Sequence, residues 1–422
     1  MSDTTASRRP EGLAAYMVVT AAYWAFMLTD GALRMLVLLH FHTLGFSPIQ
    51  LAYLFLLYEL MGVVTNLSAG WIGARFGVTS TLYAGLILQI GALAALYQLD
   101  PGWAAATSVV FVMSVQGLSG VAKDLAKMSA KSAVKLLAPA EEKGALFRWV
   151  AVLTGSKNAV KGLGFLLGAS LLALAGFKPA VLAMAIALFA ILVAIGIFMP
   201  SGLPGGKKST KFSEVFSNNR NVNRLSVARL FLFGARDTWF VVGVPIYFYS
   251  VLSDGSPEGA RTAFFQVGVF MAFWIIGYGF VQALAPKLLR AKQKELPEII
   301  GLARVWVGIL VFVPAALALA AWLAGGEAQD WLSMTLVVGL MAFGVVFALN
   351  SSLHSYLILA FTAAERVTMD VGFYYMSNAA GRLVGTLLSG IAYQLGGLTL
   401  CLAATAGMAL ASWLAARMLR HA

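Results

Sequence analysis

Twelve apolar runs, each about 20 residues long or longer, dominate this sequence. Lipid offers the backbone no hydrogen-bond partner, so a run of this length that crosses a membrane must be a helix. Of the 422 residues, 60% are hydrophobic and 11% are charged, and this composition predicts an all-α integral membrane protein. The predicted spans, numbered 1 to 12 in chain order, are 14–40, 49–72, 80–98, 103–125, 148–175, 179–199, 225–252, 263–285, 299–323, 332–360, 371–395 and 398–417.

Polar segments divide the chain. Residues 1–13 form a polar amino-terminal tail that lacks the apolar core of a signal peptide. The longest polar stretch, 200–224, has six spans on either side. We therefore expect a six-helix bundle over 14–199, a cytoplasmic linker over 200–224, and a second six-helix bundle with a short tail over 225–422.

The distribution of lysine and arginine predicts the orientation. With the amino terminus in the cytoplasm, the cytoplasmic ends and loops hold 22 of the 30 basic residues. The external loops hold two, Lys178 and Arg261, and six lie within spans. Because basic residues concentrate on the cytoplasmic side, we expect a multi-pass protein of the cell (inner) membrane with both termini in the cytoplasm.

The two halves carry a weak repeat. A shift of 221 residues places Lys161 on Arg382, and a shift of 207 places Asp30 on Asp237. The first pair joins spans 5 and 11, and the second joins spans 1 and 7. Two parallel six-helix repeats around a central site resemble the major facilitator architecture.

Charged residues inside the spans indicate the kind of substrate. Each costs roughly 2.5–3.5 kcal/mol at the centre of a lipid-facing helix, so we expect these residues to face a wet cavity or one another. Six bases against three acids leave an excess of three positive charges, which favours an anionic substrate. The bases are Arg34, Lys157, Lys161, Arg229, Arg236 and Arg382, and the acids are Asp30, Glu59 and Asp237.

Four of these bases predict a clamp at mid-membrane. Arg34 and Arg236 lie on the repeat-related spans 1 and 7, and Lys161 and Arg382 lie on spans 5 and 11. Guanidinium groups bind phosphate-like oxyanions through two parallel hydrogen bonds. The alternative is neutralisation by a nearby acid, since Asp30 stands four residues before Arg34.

Other polar residues extend the predicted substrate site. Lys157 lies one helical turn before Lys161 on span 5. Asn350 and His354 share a face of span 10, and Tyr374 and Asn378 follow on span 11. Polar groups of this kind also join helices by hydrogen bonds, which is the alternative for span 10.

Acids in the spans are candidate proton-coupling residues. Glu59 lies near the middle of span 2, where a carboxylate is either protonated or paired with a base. Asp30 and Asp237 are the alternative candidates for proton coupling. At the end of span 4, Lys123 and Lys127 share a face; they either gather an anion at the cytoplasmic mouth or bind anionic lipid headgroups.

Several types of chemistry are excluded. Cys401 is the sole cysteine, and the four histidines lack zinc-ligand spacing, so we expect no disulfide and no metal. We find no nucleophile with its base and no phosphate-binding glycine motif, which argues against an enzyme and against a bound cofactor. The net charge of +12 resides in short loops between spans, so it does not indicate nucleic-acid binding.

The polar segments taken together resemble a known family. They include RLFLFGARDTWFVVGVP at 229–245 and DVGFYYMSNAAGRLVGTLLSG at 370–390, with further matches at 22–48, 54–77, 117–137, 148–168 and 350–361. They resemble the ArsJ-type organoarsenical efflux permeases, over residues 14 to 417. The resemblance implies export of 1-arseno-3-phosphoglycerate, which a soluble glyceraldehyde-3-phosphate dehydrogenase makes from arsenate, and hence resistance to arsenate.

The prediction from sequence is therefore a secondary active exporter that works by alternating access. We expect a monomer in the lipid bilayer with a functional link to the dehydrogenase, reset as an antiporter by a proton moving inward on one of the three acids. A carrier of another organophosphate or oxyanion is the alternative. Pentavalent arsenic needs cationic donors, whereas trivalent arsenic prefers clustered thiolates that this chain lacks.

Overall fold

A computed structural model describes residues 8–137, 145–199, 217–290, 293–325, 329–362 and 367–420. Within these ranges every regular element is helical. Parts of the predicted tail (1–7) and linker (200–216) lie outside the described residues. The helices are Arg8–Thr43, Pro48–Leu54, Leu56–Tyr97, Ala105–Leu137, Ala145–Ala175, Phe177–Phe198, Arg220–Thr238, the π-helical Trp239–Gly243, Val244–Leu252, Pro257–Leu288, Leu296–Leu323, Asp330–Phe361 and Val367–Arg417.

The described helices have the lengths of membrane spans. Eleven described helical stretches are long and apolar enough to cross a membrane, and the last, Asp370–Arg417, has 48 residues. About 20 residues cross the hydrocarbon core once, so this stretch crosses it twice. Gly396 and Gly397 leave the helical conformation in its middle and separate span 11 from span 12. The all-α membrane fold is thereby confirmed.

Large apolar side chains cover the outside of the bundle. Leu174, Phe312 and Phe273 are 77%, 74% and 66% exposed. A water-soluble protein rarely exposes such side chains over a wide surface. Contact with lipid tails accounts for them.

Span 2 begins at a capped helix end. The Ser47 hydroxyl accepts a hydrogen bond from the backbone N–H of Gln50, and the Gln50 side chain accepts one from the backbone N–H of Ser47. Pro48 occupies the first helical position, where no N–H is needed. Within Leu56–Tyr97, Gly77 has a φ of 77°, which glycine adopts readily, and the chain passes there from span 2 to span 3.

Span 7 contains a π-helical turn, Trp239–Gly243. Pro245 follows it and has no N–H to continue the regular α-helical hydrogen bonding. The Ser389 hydroxyl of span 11 accepts hydrogen bonds from two backbone N–H groups of this turn, both at 3.1 Å. The turn therefore ties span 7 to span 11.

Corresponding spans pack alike in the N-terminal half (spans 1–6) and the C-terminal half (spans 7–12). Span 1 packs on span 5, and span 7 packs on span 11. A Cβ on Gly164 would collide with the Leu28 carbonyl oxygen, and one on Gly385 would lie 2.5 Å from the Gly234 carbonyl oxygen. The two halves meet where span 5 contacts span 8 and span 2 contacts span 11.

Candidate functional site

A cavity of about 190 Å³ lies between the two halves. Among the described residues that line it, eight are basic and three are acidic, so the lining carries a formal charge of +5. This volume is below the few hundred Å³ of most ligand sites, so a substrate requires the walls to separate. The charged lining residues are Arg34, Glu59, Lys123, Asp124, Lys127, Lys157, Lys161, Arg229, Arg236, Asp237 and Arg382.

Glu59 of span 2 is held by two arginines. Its Oε1 accepts from both terminal nitrogens of Arg34 at 3.1 Å and from Nη2 of Arg382 at 2.6 Å. The residue is only 1% exposed, and its Oε2 has no hydrogen-bond partner among the described residues. Since Arg382 belongs to span 11, this carboxylate connects the two halves.

Asp237 of span 7 is also held by two arginines. Its Oδ1 accepts from Nε of Arg236 at 2.6 Å, and its Oδ2 accepts from Nε of Arg382 at 3.1 Å. The Arg236 guanidinium lies 4.8 Å from the ring centroid of Phe233, which adds a cation–π contact. Arg382 therefore holds one acid of each half.

Lys161 of span 5 pairs with Asp30 of span 1. The Lys161 ammonium lies 2.9 Å from Oδ2 of Asp30, and the Tyr58 hydroxyl donates to Oδ1 at 2.5 Å. The sequence suggested a different partner for Asp30, namely Arg34, which stands four residues later. In the structure Arg34 pairs with Glu59, and Asp30 pairs with Lys161 of another span.

The repeat-related residues form equivalent ion pairs. Lys161 with Asp30 joins spans 5 and 1, and Arg382 with Asp237 joins spans 11 and 7. These are the residues that the two sequence shifts align. Each half therefore contributes one base–acid pair, from corresponding positions, to the cavity wall.

Lys127 belongs to a hydrogen-bonded network between spans 2 and 4. It donates to Oδ1 of Asp124 at 2.8 Å and to Oδ1 of Asn66 at 2.6 Å, while the Thr65 hydroxyl donates to Oδ2 of Asp124 at 2.6 Å. Lys123, one turn earlier, lies over the Tyr58 ring with its ammonium 4.0 Å from the centroid. The two lysines share a helix face and have different partners.

Arg229 of span 7 also lines the cavity, although it was not one of the four bases of the predicted clamp. Its Nε donates to Oδ1 of Asn378 at 3.0 Å, and its Nη1 donates to the Ser351 hydroxyl at 3.0 Å. The signal available in the sequence was its position among the intramembrane bases.

The sequence matches the Major Facilitator Superfamily over residues 15–358, most of the chain. The chain belongs to this superfamily. It is therefore a multi-pass membrane transporter for a small solute, in a superfamily whose members are generally not enzymes.

Solved major facilitator structures share the fold. Two are POT family transporters, in complex with a thioalcohol-conjugated peptide and with 5-aminolevulinic acid; each is 13% identical over 94% of both chains, with TM-scores of 0.72 and 0.74. A bacterial homologue of the human drug peptide transporters PepT1 and PepT2 is 14% identical over 97% of both chains, with a TM-score of 0.66. At these identities the likeness concerns the fold alone. No curated protein matches the chain.

Three predicted substrate residues of this major facilitator protein lie away from the cavity lining. Asn350 and His354 are fully buried, and the Asn350 amide faces the Ala303 carbonyl of span 9 at 3.4 Å. This placement fits the helix-joining alternative for span 10. Tyr374 is also fully buried and lies behind Arg229, whose guanidinium is 5.0 Å from its ring centroid.

The remaining predicted residues converge on the cavity of the major facilitator fold. Asp30 contacts it through Lys161, and the others line it directly. Those that line it are Arg34, Glu59, Lys123, Lys127, Lys157, Lys161, Arg236, Asp237, Asn378 and Arg382.

Proposed function

We propose that this protein is a secondary active exporter of a multivalent organic anion and that its substrate is 1-arseno-3-phosphoglycerate. The observation that carries the proposal is the cavity, where eight bases face three acids. A site with this excess of positive charge attracts phosphate-like oxyanions and repels cations. The organoarsenical substrate is supported by the sequence resemblance to ArsJ-type permeases.

The proposed substrate carries a phosphate at one end and an arsenate at the other. Arg34, Arg236 and Arg382 supply planar guanidinium donors that suit such groups, and Lys161 supplies a compact ammonium. Cys401 is buried, with its thiol near the Thr238 carbonyl at 3.0 Å, and it does not line the cavity. The donors thus favour pentavalent over trivalent arsenic.

Alternating access is proposed to work through the ion pairs that cross the cavity. A substrate that takes Arg382 from Glu59 removes a contact between span 11 and span 2, which lie in different halves. The halves are then able to rock about the bound anion. An inner-membrane location with cytoplasmic termini, a monomeric state and a functional link to glyceraldehyde-3-phosphate dehydrogenase belong to the same proposal.

Proton coupling is proposed to follow from competition for bases. Glu59 and the anion both require Arg34 and Arg382, so anion binding leaves the Glu59 carboxylate without its partners. An unpaired buried charge is costly, and uptake of a proton removes it. The anion and a proton are then expected to move together, whereas the antiport predicted from sequence requires them to bind alternately. Asp30 and Asp237 are the other proposed proton carriers.

The membrane potential then supplies the driving force for export. Each elementary charge that crosses 100 mV contributes about 2.3 kcal/mol. A potential that is negative inside drives a multivalent anion outward even when one proton accompanies it. No energy from ATP bound to this chain is required.

Everted membrane vesicles test the proposal. Arsenate, glyceraldehyde 3-phosphate, NAD and purified dehydrogenase are supplied outside, and arsenic inside the vesicles is measured. We expect accumulation that requires all four components and is unaffected by excess 5-aminolevulinic acid. Arg261→Gln, which removes an exposed positive charge that is not part of the cavity lining, is the matched control for cavity variants.

Three outcomes would contradict this substrate. Accumulation with arsenate alone indicates a direct oxyanion carrier, and accumulation of glyceraldehyde 3-phosphate alone indicates a carrier of other organophosphates. Absence of any accumulation, in energised vesicles with folded protein, excludes the proposed substrate.

A further inference from the structure

Two bases of the cavity are more than nine-tenths buried and have no carboxylate within ion-pair distance among the described residues. They are Lys123 of span 4 and Arg229 of span 7. A buried cation without a counter-ion is unfavourable unless a ligand supplies the negative charge. Five other lining bases do have carboxylate partners: Arg34, Lys127, Lys161, Arg236 and Arg382.

Lys123 points its ammonium into the cavity beside the Tyr58 ring. The nearest carboxylates, those of Asp124, Glu59 and Asp30, act on it from beyond ion-pair distance. Each of these acids is already bonded to another base. The ring compensates in part for lost hydration, but the three N–H donors find no acceptor among the described residues.

Arg229 is oriented without being neutralised. Asn378 and Ser351 accept hydrogen bonds from its Nε and Nη1. The rings of Phe233 and Tyr374 lie at 4.0 Å and 5.0 Å from its guanidinium carbon. Its Nη2 makes no hydrogen bond within the described part of the chain. The guanidinium group is therefore held in a fixed orientation while its Nη2 N–H groups remain able to bind an anion.

The two bases approach the same stretch of span 11 from opposite halves. Arg229 contacts Asn378, and Ala379, the next residue, faces Gly62 of span 2 together with the Lys123 ammonium. Lys123 belongs to the N-terminal half and Arg229 to the C-terminal half. An anion that contacts both would therefore span the interface between the halves.

We propose that Lys123 and Arg229 bind the two ends of a two-headed organic anion. The inference rests on the proposed function and deepens it, because it restricts the substrate to molecules with two separated anionic groups. The acid-paired bases such as Arg382 then engage after the anion has arrived and displaced their carboxylates. Lys123 is thereby a substrate ligand and does more than attract anions to the cytoplasmic mouth.

Two stable probes that differ by one anionic group test this inference. 3-Phosphoglycerate has a phosphate and a carboxylate, and glycerol 3-phosphate has the phosphate alone. Binding of each to the purified full-length protein in nanodiscs is measured by titration calorimetry. We expect wild-type protein to prefer 3-phosphoglycerate by about tenfold or more, the effect of one additional charged hydrogen bond.

Single variants locate the two ends. Lys123→Gln and Arg229→Gln are each expected to weaken 3-phosphoglycerate binding by about tenfold. The variant that has lost the ligand of the carboxylate should no longer prefer 3-phosphoglycerate, whereas the variant that has lost the ligand of the phosphate should bind both probes more weakly and keep the preference. Arg261→Gln, at an exposed position near the start of the helix Pro257–Leu288, is expected to change neither. Lys123→Arg keeps the charge and is expected to retain the preference, which separates loss of a ligand from a general defect in folding. Elution as a monodisperse peak and an unchanged melting temperature verify folding.

The outcomes separate the inference from the proposed function. Undiminished affinity and preference in both glutamine variants overturns the inference and leaves an anion transporter whose ligands are the acid-paired bases. Failure of folded wild-type protein to bind either probe overturns the inference together with the proposed anion specificity. If Lys123→Gln does not fold, loss of the preference in Lys123→Arg overturns the role of charge at that position.

Discussion

Arg382 of span 11 donates from Nη2 to Glu59 of span 2 at 2.6 Å, so a buried ion pair joins the C-terminal half to the N-terminal half. The same guanidinium donates from Nε to Asp237 within its own half. Movement of the halves relative to each other must therefore stretch or break the bond to Glu59. The other bond can persist through that movement.

Arg382→Gln is expected to reduce transport by at least about tenfold, because it removes a base of the proposed clamp. Each acid keeps a second arginine, so the free energy of unfolding should fall by about 3 kcal/mol, the low end for a broken buried pair. Vesicle transport and thermal unfolding measure the two effects. Arg382→Lys keeps the charge and cannot reach both acids equally, so intermediate transport is expected. Normal transport by Arg382→Gln would remove this residue from the site.

Glu59→Gln preserves the size of the side chain and cannot ionise. We expect the variant to carry the anion while losing the accompanying proton. A pH-sensitive dye inside everted vesicles should report acidification during anion uptake by the wild-type protein and none with the variant. Alkalinisation by the wild-type protein would show exchange, the mode predicted from sequence.

Lys127→Met and Lys123→Met are expected to have different effects on stability and on KM, although the two residues are one helical turn apart on the same face. The Lys127 change breaks the network with Asp124 and Asn66 and should lower the free energy of unfolding by about 3 kcal/mol, with little change in KM. The Lys123 change leaves no carboxylate newly unpaired, so it should raise KM and spare stability. Thermal unfolding measures the change in stability, and the concentration dependence of transport measures the change in KM. Equal effects of the two substitutions would contradict the different roles assigned to the two lysines.

Gly385→Ala should destabilise the contact between spans 11 and 7. The added Cβ would lie 2.5 Å from the Gly234 carbonyl oxygen, so the helices must move apart at a cost of about 1–3 kcal/mol. Gly407→Ala is the matched control, because an added Cβ there meets no atom within 4 Å. Equal melting temperatures for the two variants would contradict the close approach.

Orientation can be tested at the two ends of span 8. Cys401 is fully buried and should give little background labelling, and Glu258 and Gln293 are exposed. We expect Glu258→Cys to react with an impermeant maleimide in intact cells and Gln293→Cys to react only after permeabilisation. The reverse pattern would place both termini outside.

Apolar run lengths predicted the helices well, and the glycine pair 396–397 separates spans 11 and 12 where the sequence placed their boundary. Other ends differ, since the helix of span 4 continues to Leu137 beyond the predicted residue 125. Polar residues past the hydrocarbon region can remain helical, so hydropathy does not mark that end. Pro245 marks an irregular point in span 7, but the π-helical turn there is bonded to Ser389 of another span, which the local sequence does not indicate.

The intramembrane bases were visible in the sequence, but their partners were not. Lys161 and Arg382 have no acid nearby in the chain, yet the fold brings Asp30 to the first and Glu59 and Asp237 to the second. Pairing across spans depends on helix rotation and packing, which composition does not contain. The repeat did predict which base and acid occupy equivalent positions in the two halves.

The paired acids of the cavity have a consequence for selectivity among anions. Each carboxylate already accepts hydrogen bonds from the bases that an incoming anion needs, so the carboxylate competes with the anion for these donors. Chloride has a single charge and cannot accept two parallel hydrogen bonds, and so gains little by displacing it. A phosphate-class group offers more charge and more acceptor oxygens than the carboxylate it replaces. In the proposed function, the acids therefore set a minimum charge that an anion must carry to be transported, without any narrowing of the path.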